Sequence, residues 1–265
     1  AGEAGDTGRR LAAPRYADGM TTAVAVIGAS GRMGSQACQA VEAADGLELV
    51  GRFDDGDDLG DLGGADVAVE LTVPSASPAN VRHCVEQGVH AVVGTTGWTP
   101  ERLAELETVL AGHEGVGVLI APNFSVGAIL LMRFAREAAR FYESVEIVEL
   151  HHPDKVDAPS GTAVRTAEGI ALARAEAGLG EMPDATTHDP HGARGARIEG
   201  IPVHAVRLRG LVAHQEVLLG AEGEALTIRH DSFDRASFMP GVLAGVRAVA
   251  SRPGLTVGLE HVLDL

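Results

Sequence analysis

The stretch "TAVAVIGASGRMG", residues 22–34, decides the fold. A short apolar, β-branched run reads as a buried strand, and Gly28, Gly31 and Gly34 after it read as a turn into the helical pattern "GRMGSQACQAVEAADG". Glycine suits this turn for three reasons. The chain bends sharply, the backbone must come close to whatever binds there, and the helix must pack on the strand it has just left. Free amides at the helix start then act as anion donors. The spacing is G-x-x-G-x-x-G, which departs from the commonest dinucleotide pattern, and three glycines alone also describe an ordinary tight turn.

Context favours the dinucleotide. The turn follows the first strand and opens a helix. Asp54 stands 20 residues beyond Gly34, at the end of the second strand, where an acid accepts ribose hydroxyls. The loop residues Gly28, Ser30, Gly31, Arg32, Met33 and Gly34, with Asp54, are therefore candidate contacts of a nicotinamide dinucleotide. Asp54 argues for NADH, whereas Arg32 and Arg52 could reach the 2′-phosphate of NADPH, so NADH or dual use is expected.

Further strands read at "LELVGRF" (47–53), "DVAVELT" (66–72), "HAVVGT" (90–95) and "GVLIAP" (117–122), most of them separated by helical patterns. Near-continuous apolar strands with helical crossovers predict a Rossmann-like, doubly wound α/β domain with a parallel sheet over residues 21–125. "GTTG" (Gly94, Thr95, Thr96, Gly97) and "APNF" (Ala121, Pro122, Asn123, Phe124) follow strands four and five, on the edge where such sheets bind ligands. They read equally as strand-to-helix turns with Thr or Asn caps.

The rhythm then changes. A helix is expected near 124–142, a strand at "VEIVELHH", a helix from Gly161 to about Ala177, and a loop of about 20 residues over "LGEMPDATTHDPHGARGAR". Strands near 202–209, 211–219 and 225–231, joined by Gly210 and by Gly220 to Gly223, suggest antiparallel hairpins. Residues 126–236 thus read as a second, mixed α+β domain. The last helix and strand, in 237–265, are expected to return to the first sheet.

Bulk properties narrow the function. The chain has 265 residues, 45% of them apolar, a net charge of −16 and no apolar run approaching a membrane span. Without a dense Lys/Arg block, neither nucleic acid nor membrane is an expected partner. Cys38 and Cys84 sit inside helical patterns and read as small buried residues of a reducing compartment, the cytoplasm. Residues 1–20 read as a disordered leader or tag, with Met20 as the natural start.

"ELHHPDKVDAPSGTA" (149–163) carries the chemistry. Neighbouring strand residues face opposite ways, so only one of His151 and His152 enters a given cleft unless the strand ends there. Taken alone, a histidine of this pair reads as an ordinary core or surface side chain. Lys155 follows, and then Ser160 as an N-cap with Gly161 and Thr162 in the first helical turn. A lysine beside a helix N-terminus is a carboxylate or phosphate site, and a neighbouring imidazole is a proton donor. No carboxylate or cysteine completes a compact ligand set around this pair or "HDPH" (188–191), so no metal is expected.

These motifs together resemble the dihydrodipicolinate reductase family, its actinobacterial branch above all. The likeness runs from Met20 through "GIPVHAVRLRGLVAHQEVLLG" and "LTIRHDSFDRASFMPG". It implies a reductase that passes hydride from NADH or NADPH to a cyclic imine bearing two carboxylates, in lysine and diaminopimelate biosynthesis. It also implies His151 as general acid or its partner, with Lys155 on a carboxylate or itself the acid. His152, Ser160, Gly161 and Thr162 would bind substrate, and the second domain's sheet would build a homotetramer. Asp154 departs from relatives that carry a histidine there. A homoserine or semialdehyde dehydrogenase, and a non-catalytic dinucleotide sensor, are the competing readings. The semialdehyde enzyme needs a cysteine nucleophile, which both cysteines serve poorly.

Overall fold

The computed structural model describes residues 21–263; the expected leader lies outside them. The chain forms two compact units, one reaching to Ile120 and including Leu243–Val257, the other made of Ala121–Val242 and the residues from Gly258. The boundaries expected at 125/126 and 236/237 are thus displaced, and the residues after Gly258 join the second unit rather than the first.

The first unit holds strands β1 (Thr22–Ile27), β2 (Leu47–Phe53), β3 (Val67–Glu70), β4 (His90–Val93), β5 (Gly117–Ile120) and β11 (Gly254–Val257). All pair in parallel, in the order β11-β5-β4-β3-β1-β2. Helices α1 (Gly34–Glu42), α2 (Ser77–Glu86) and α3 (Pro100–Leu110) supply crossovers. β3 and β4 are buried along nearly their whole length because helices cover both sheet faces, which is why they read as unbroken apolar runs. The core joins Ala25, Ile27, Val93 and Ile120 of the strands to Val81, Cys84 and Leu106 of the helices.

The second unit carries β6 (Ser144–His151), β7 (Ala196–Ile198), β8 (Ile201–Arg207), β9 (Ala213–Ala221) and β10 (Glu224–Ser232) in the order β10-β9-β6-β8-β7. Helices α4 (Val126–Ala138) and α5 (Gly161–Glu176) cover one face. α4 starts later than the apolar pattern suggested because Ser125 caps it, accepting from Ala128 N at 3.3 Å. α6 (Met239–Val249) contains the 242/243 boundary.

The hairpin expected at Gly210 does not form. β6 lies between β8 and β9, parallel to the first and antiparallel to the second. The insertion has a chemical reason: β6 carries a buried acid, Glu149, and β8 supplies its cation, Arg207. The hairpin at 221–224 is present, joining β9 to β10. β7 arises inside the stretch read as loop, since three residues with a central arginine show no alternation. The rest of that loop is tied down. Buried Arg174 donates to the Gly180 carbonyl at 3.4 Å, Arg197 donates to Asp184 at 2.6 Å, and Arg194 reaches Glu146 at 2.5 Å.

Candidate active site

Period-2 alternation along β6 sets Val145, Ile147 and Glu149 on the helix-covered face. Glu149 is 0% exposed and ends this row, directly below His151. Its Oε2 lies 2.6 Å from His151 Nδ1, Arg207 donates to both carboxylate oxygens at 2.8 Å, and Ser160 N donates to Oε1 at 3.1 Å. Burial works to raise the Glu149 carboxyl. The hydrogen bonds and charges of His151 and Arg207 outweigh it and hold the group at about 2. Glu149 is thus an ionised strut, and with Nδ1 committed to it, Nε2 is the His151 nitrogen left for a ligand.

β6 ends at His151, so His152 is freed from strand alternation and starts a turn closed by Lys155 N donating to its carbonyl at 3.3 Å. Lys155 Nζ donates to Asp157 at 2.7 Å. Burial raises the Asp157 carboxyl, but Lys155 and the Gly161 amide overcome this and lower it. A lysine and a helix N-terminus therefore already hold one carboxylate between them. Ser160 caps α5 as expected, accepting from Ala163 N at 3.2 Å, and Asn123 Nδ2 donates to Thr162 Oγ1 at 3.2 Å.

His151, Ser160, Thr162, Gln215 and His230 are among the residues that line one cavity, whereas His152 and Lys155 are not in its lining. Gln215 Nε2 donates to Thr166 Oγ1 at 2.8 Å, while its Oε1 is buried with no partner among the described residues. That oxygen is an acceptor available to a ligand N–H. Burial lowers the His230 imidazole, favouring a neutral ring 3.2 Å from Ser125 Oγ. Sequence reasoning singled out neither Glu149, Arg207, Gln215 nor His230. For Glu149 a signal existed: an acid two residues before a strand histidine shares its face. The others arrive from β8, β9 and β10, and no local pattern could bring them in.

In the first unit, β1 lies between β2 and β3, so the layers diverge at β1 and open a crevice at the carboxyl edge. Gly28 has φ +87° and stands so close to β3 that a Cβ would come within 2.5 Å of the Leu71 carbonyl oxygen. A Cβ on Gly34 would overlap the Gly28 carbonyl, and Gly31 N donates to that same oxygen at 3.0 Å. Such a side-chain-free turn at the start of α1 fits a pyrophosphate, flanked by exposed Arg32 and half-buried Met33. Asp54 accepts from Ser30 N (2.9 Å) and Ser30 Oγ (2.8 Å), which puts the candidate ribose acid at the loop. Arg52 is paired with Glu42 rather than free for a phosphate.

In "GTTG", Gly94 N donates to the Glu70 carbonyl at 2.9 Å, Thr95 is buried with no partner for Oγ1 among the described residues, Thr96 is exposed and Gly97 takes φ +90°. "APNF" was expected with the nucleotide domain, yet Ala121 to Phe124 fall in the second unit, where Asn123 holds Thr162. Both cysteine thiols are buried, and burial pushes Cys84 up to about 12, unfit for nucleophilic work. Among the described residues, no group of three or more His, Cys, Asp or Glu side chains is arranged to hold a metal ion, and no helix is long and apolar enough to cross a membrane.

Residues 22–124 match the family model described as dihydrodipicolinate reductase, N-terminus, and residues 127–263 match its C-terminal counterpart. A 4-hydroxy-tetrahydrodipicolinate reductase of Streptomyces griseus is 65% identical over 244 residues, 91% of this chain and 98% of the relative. That of Cutibacterium acnes is 63% identical over 242 residues, with the same coverage. Among solved structures, a dipicolinate-bound dihydrodipicolinate reductase from Paenisporosarcina sp. TG-14 superposes with TM-score 0.80 at 37% identity, covering 91% of this chain and 99% of that one.

Proposed function

This chain belongs to the dihydrodipicolinate reductase family, and from that premise we infer its chemistry. It is an NAD(P)H-dependent oxidoreductase of lysine and diaminopimelate biosynthesis that reduces the cyclic imine 4-hydroxy-tetrahydrodipicolinate to tetrahydrodipicolinate. The observation that carries the residue-level reading is the Glu149–His151 contact beside a lysine and a capped helix N-terminus.

The glycine loop (Gly28, Ser30, Gly31, Arg32, Met33, Gly34), Asp54 and "GTTG" of the first unit would hold the dinucleotide, which when bound supplies the hydride. Asp54 takes the ribose hydroxyls of NADH, and exposed Arg32 is the cation open to the extra phosphate of NADPH, so the enzyme uses both. The substrate's two carboxylates are divided between Lys155 with His152 and the Ser160–Thr162 turn. Lys155 can take one by exchanging Asp157 for it, at little net cost in charge. His151 delivers the proton from Nε2 while Glu149 holds the ring from Nδ1 and balances the charge that moves.

We propose a cytoplasmic homotetramer built on the second unit's sheet. α4 and α5 cover only one face of that sheet, and Leu218 on β9 is 38% exposed within a single chain. Sedimentation would test it: a monomer at assay concentration removes the tetramer.

The activity test couples this protein to a synthase that makes the imine from pyruvate and aspartate semialdehyde, following loss of NADH and of NADPH separately. Synthase-dependent oxidation is the expected result. Cofactor binding without turnover would favour a dinucleotide sensor.

A further inference from the structure

β3 reads "VAVE", three apolar residues and then Glu70, which is 0% exposed at the carboxyl end of a parallel sheet. A carboxylate so placed normally keeps a cation. Glu70 has instead a set of neutral donors: Ser77 Oγ at 2.6 Å, Thr72 N at 3.2 Å, Asn80 Nδ2 at 3.4 Å and the Thr72 hydroxyl in close contact. Burial of an acid is costly, so this one is held for what its donors do. All three residues lie just after β3 or in the first turns of α2. That helix has no side-chain cap at Ala76, and Glu70 instead accepts from the hydroxyl of its first residue, Ser77.

The clamped segment has a neighbour. Glu70 pairs in register with Ile27, the last residue of β1, and the segment after Glu70 packs on Gly28: a Cβ there would lie 2.5 Å from Leu71 O and 3.1 Å from Thr72 Cγ2. The crevice at the β1/β3 divergence thus has the glycine loop as one wall and residues 71–77 as the other. We propose that Glu70 is the positioning residue of this crevice: by gathering Thr72, Ser77 and Asn80 it fixes the second wall against the glycine loop and so sets cofactor affinity. This rests on the reading of the glycine loop as the dinucleotide site.

The test is titration of NADH, by its fluorescence, into full-length wild type, Glu70→Ala, Glu70→Gln and Ser77→Ala. Loss of the clamp in Glu70→Ala should raise the NADH Kd roughly tenfold, and Ser77→Ala by about threefold. Glu70→Gln, whose amide can accept from Thr72 and donate to Ser77 Oγ, should stay within about threefold of wild type. KM for NADH should follow Kd, kcat at saturating NADH should change less, and affinity for dipicolinate should be unaltered. Unchanged Kd in both alanine variants overturns the proposal, as does Glu70→Gln failing as badly as Glu70→Ala, which would make charge the cause. If Glu70→Ala does not fold, Ser77→Ala and Asn80→Ala decide in the same way. Wild type that binds neither NADH nor NADPH would instead overturn the dinucleotide reading itself.

Discussion

Glu149 and His151 stand two residues apart on one face of β6, with Oε2 2.6 Å from Nδ1. The same carboxylate takes both Arg207 nitrogens and the Ser160 amide, so one buried acid orients the imidazole, ties β8 to β6 and seats the start of α5.

Replacing Glu149 by Gln keeps the shape but gives up the charge opposite His151 and Arg207. Turnover should fall by about a hundredfold, within the range for a disabled general acid, while the NADH Kd stays near wild type. Steady-state kinetics with a parallel NADH titration check this; unchanged kcat would take Glu149 out of the proton step.

Acid should destabilise the protein through the same group. The folded pKa of Glu149, about 2, lies below its ordinary 4.5. For a carboxyl lowered by folding, the stabilisation is complete above the ordinary value and is lost as pH falls toward the folded one. Urea unfolding should therefore show a decline between these two pH values, on the order of 3 kcal/mol from Glu149. Glu149→Gln should lack that component. Arg207→Ala, which leaves the buried carboxylate short of a partner, should cost roughly 3–5 kcal/mol at neutral pH.

Lys155 and Asp157 offer opposite outcomes. Lys155→Ala should lower turnover sharply with NADH affinity nearly unchanged, and equal loss of both would put the lysine in the cofactor's service. Asp157→Ala frees the ammonium now bonded to it at 2.7 Å. Calorimetry should then find dipicolinate binding tighter by about threefold to tenfold. Weaker binding would mean that Asp157 positions Lys155 rather than standing in for a ligand carboxylate.

Asp54→Ala should weaken NADH more than NADPH, because only the former presents both ribose hydroxyls to the acid. An unchanged ratio of the two dissociation constants would remove Asp54 from the ribose site. Its present partner, Ser30, would then be its whole role.

The first sheet was legible in the residues because parallel strands covered on both faces are apolar throughout, and crossovers repeat at helical length. The glycine turn and the N-cap at Ser160 were legible for a similar reason: both are local, set by backbone conformation and hydrogen bonds within a few residues. By itself the sequence determined a doubly wound α/β segment followed by a mixed α+β one, a close-approach turn and a run of histidines and a lysine before a helix start. Tertiary structure decided the rest. That β6 inserts between β8 and β9, that Arg207 meets Glu149 across 58 positions, and that Gln215 and His230 enter the same cavity are long-range pairings. The burial of Glu70 and Glu149 is likewise a tertiary property, since their neighbours in sequence do not reveal it. A carboxylate's role depends on which donors the fold brings to it, and those donors come from other strands and from the helices that follow.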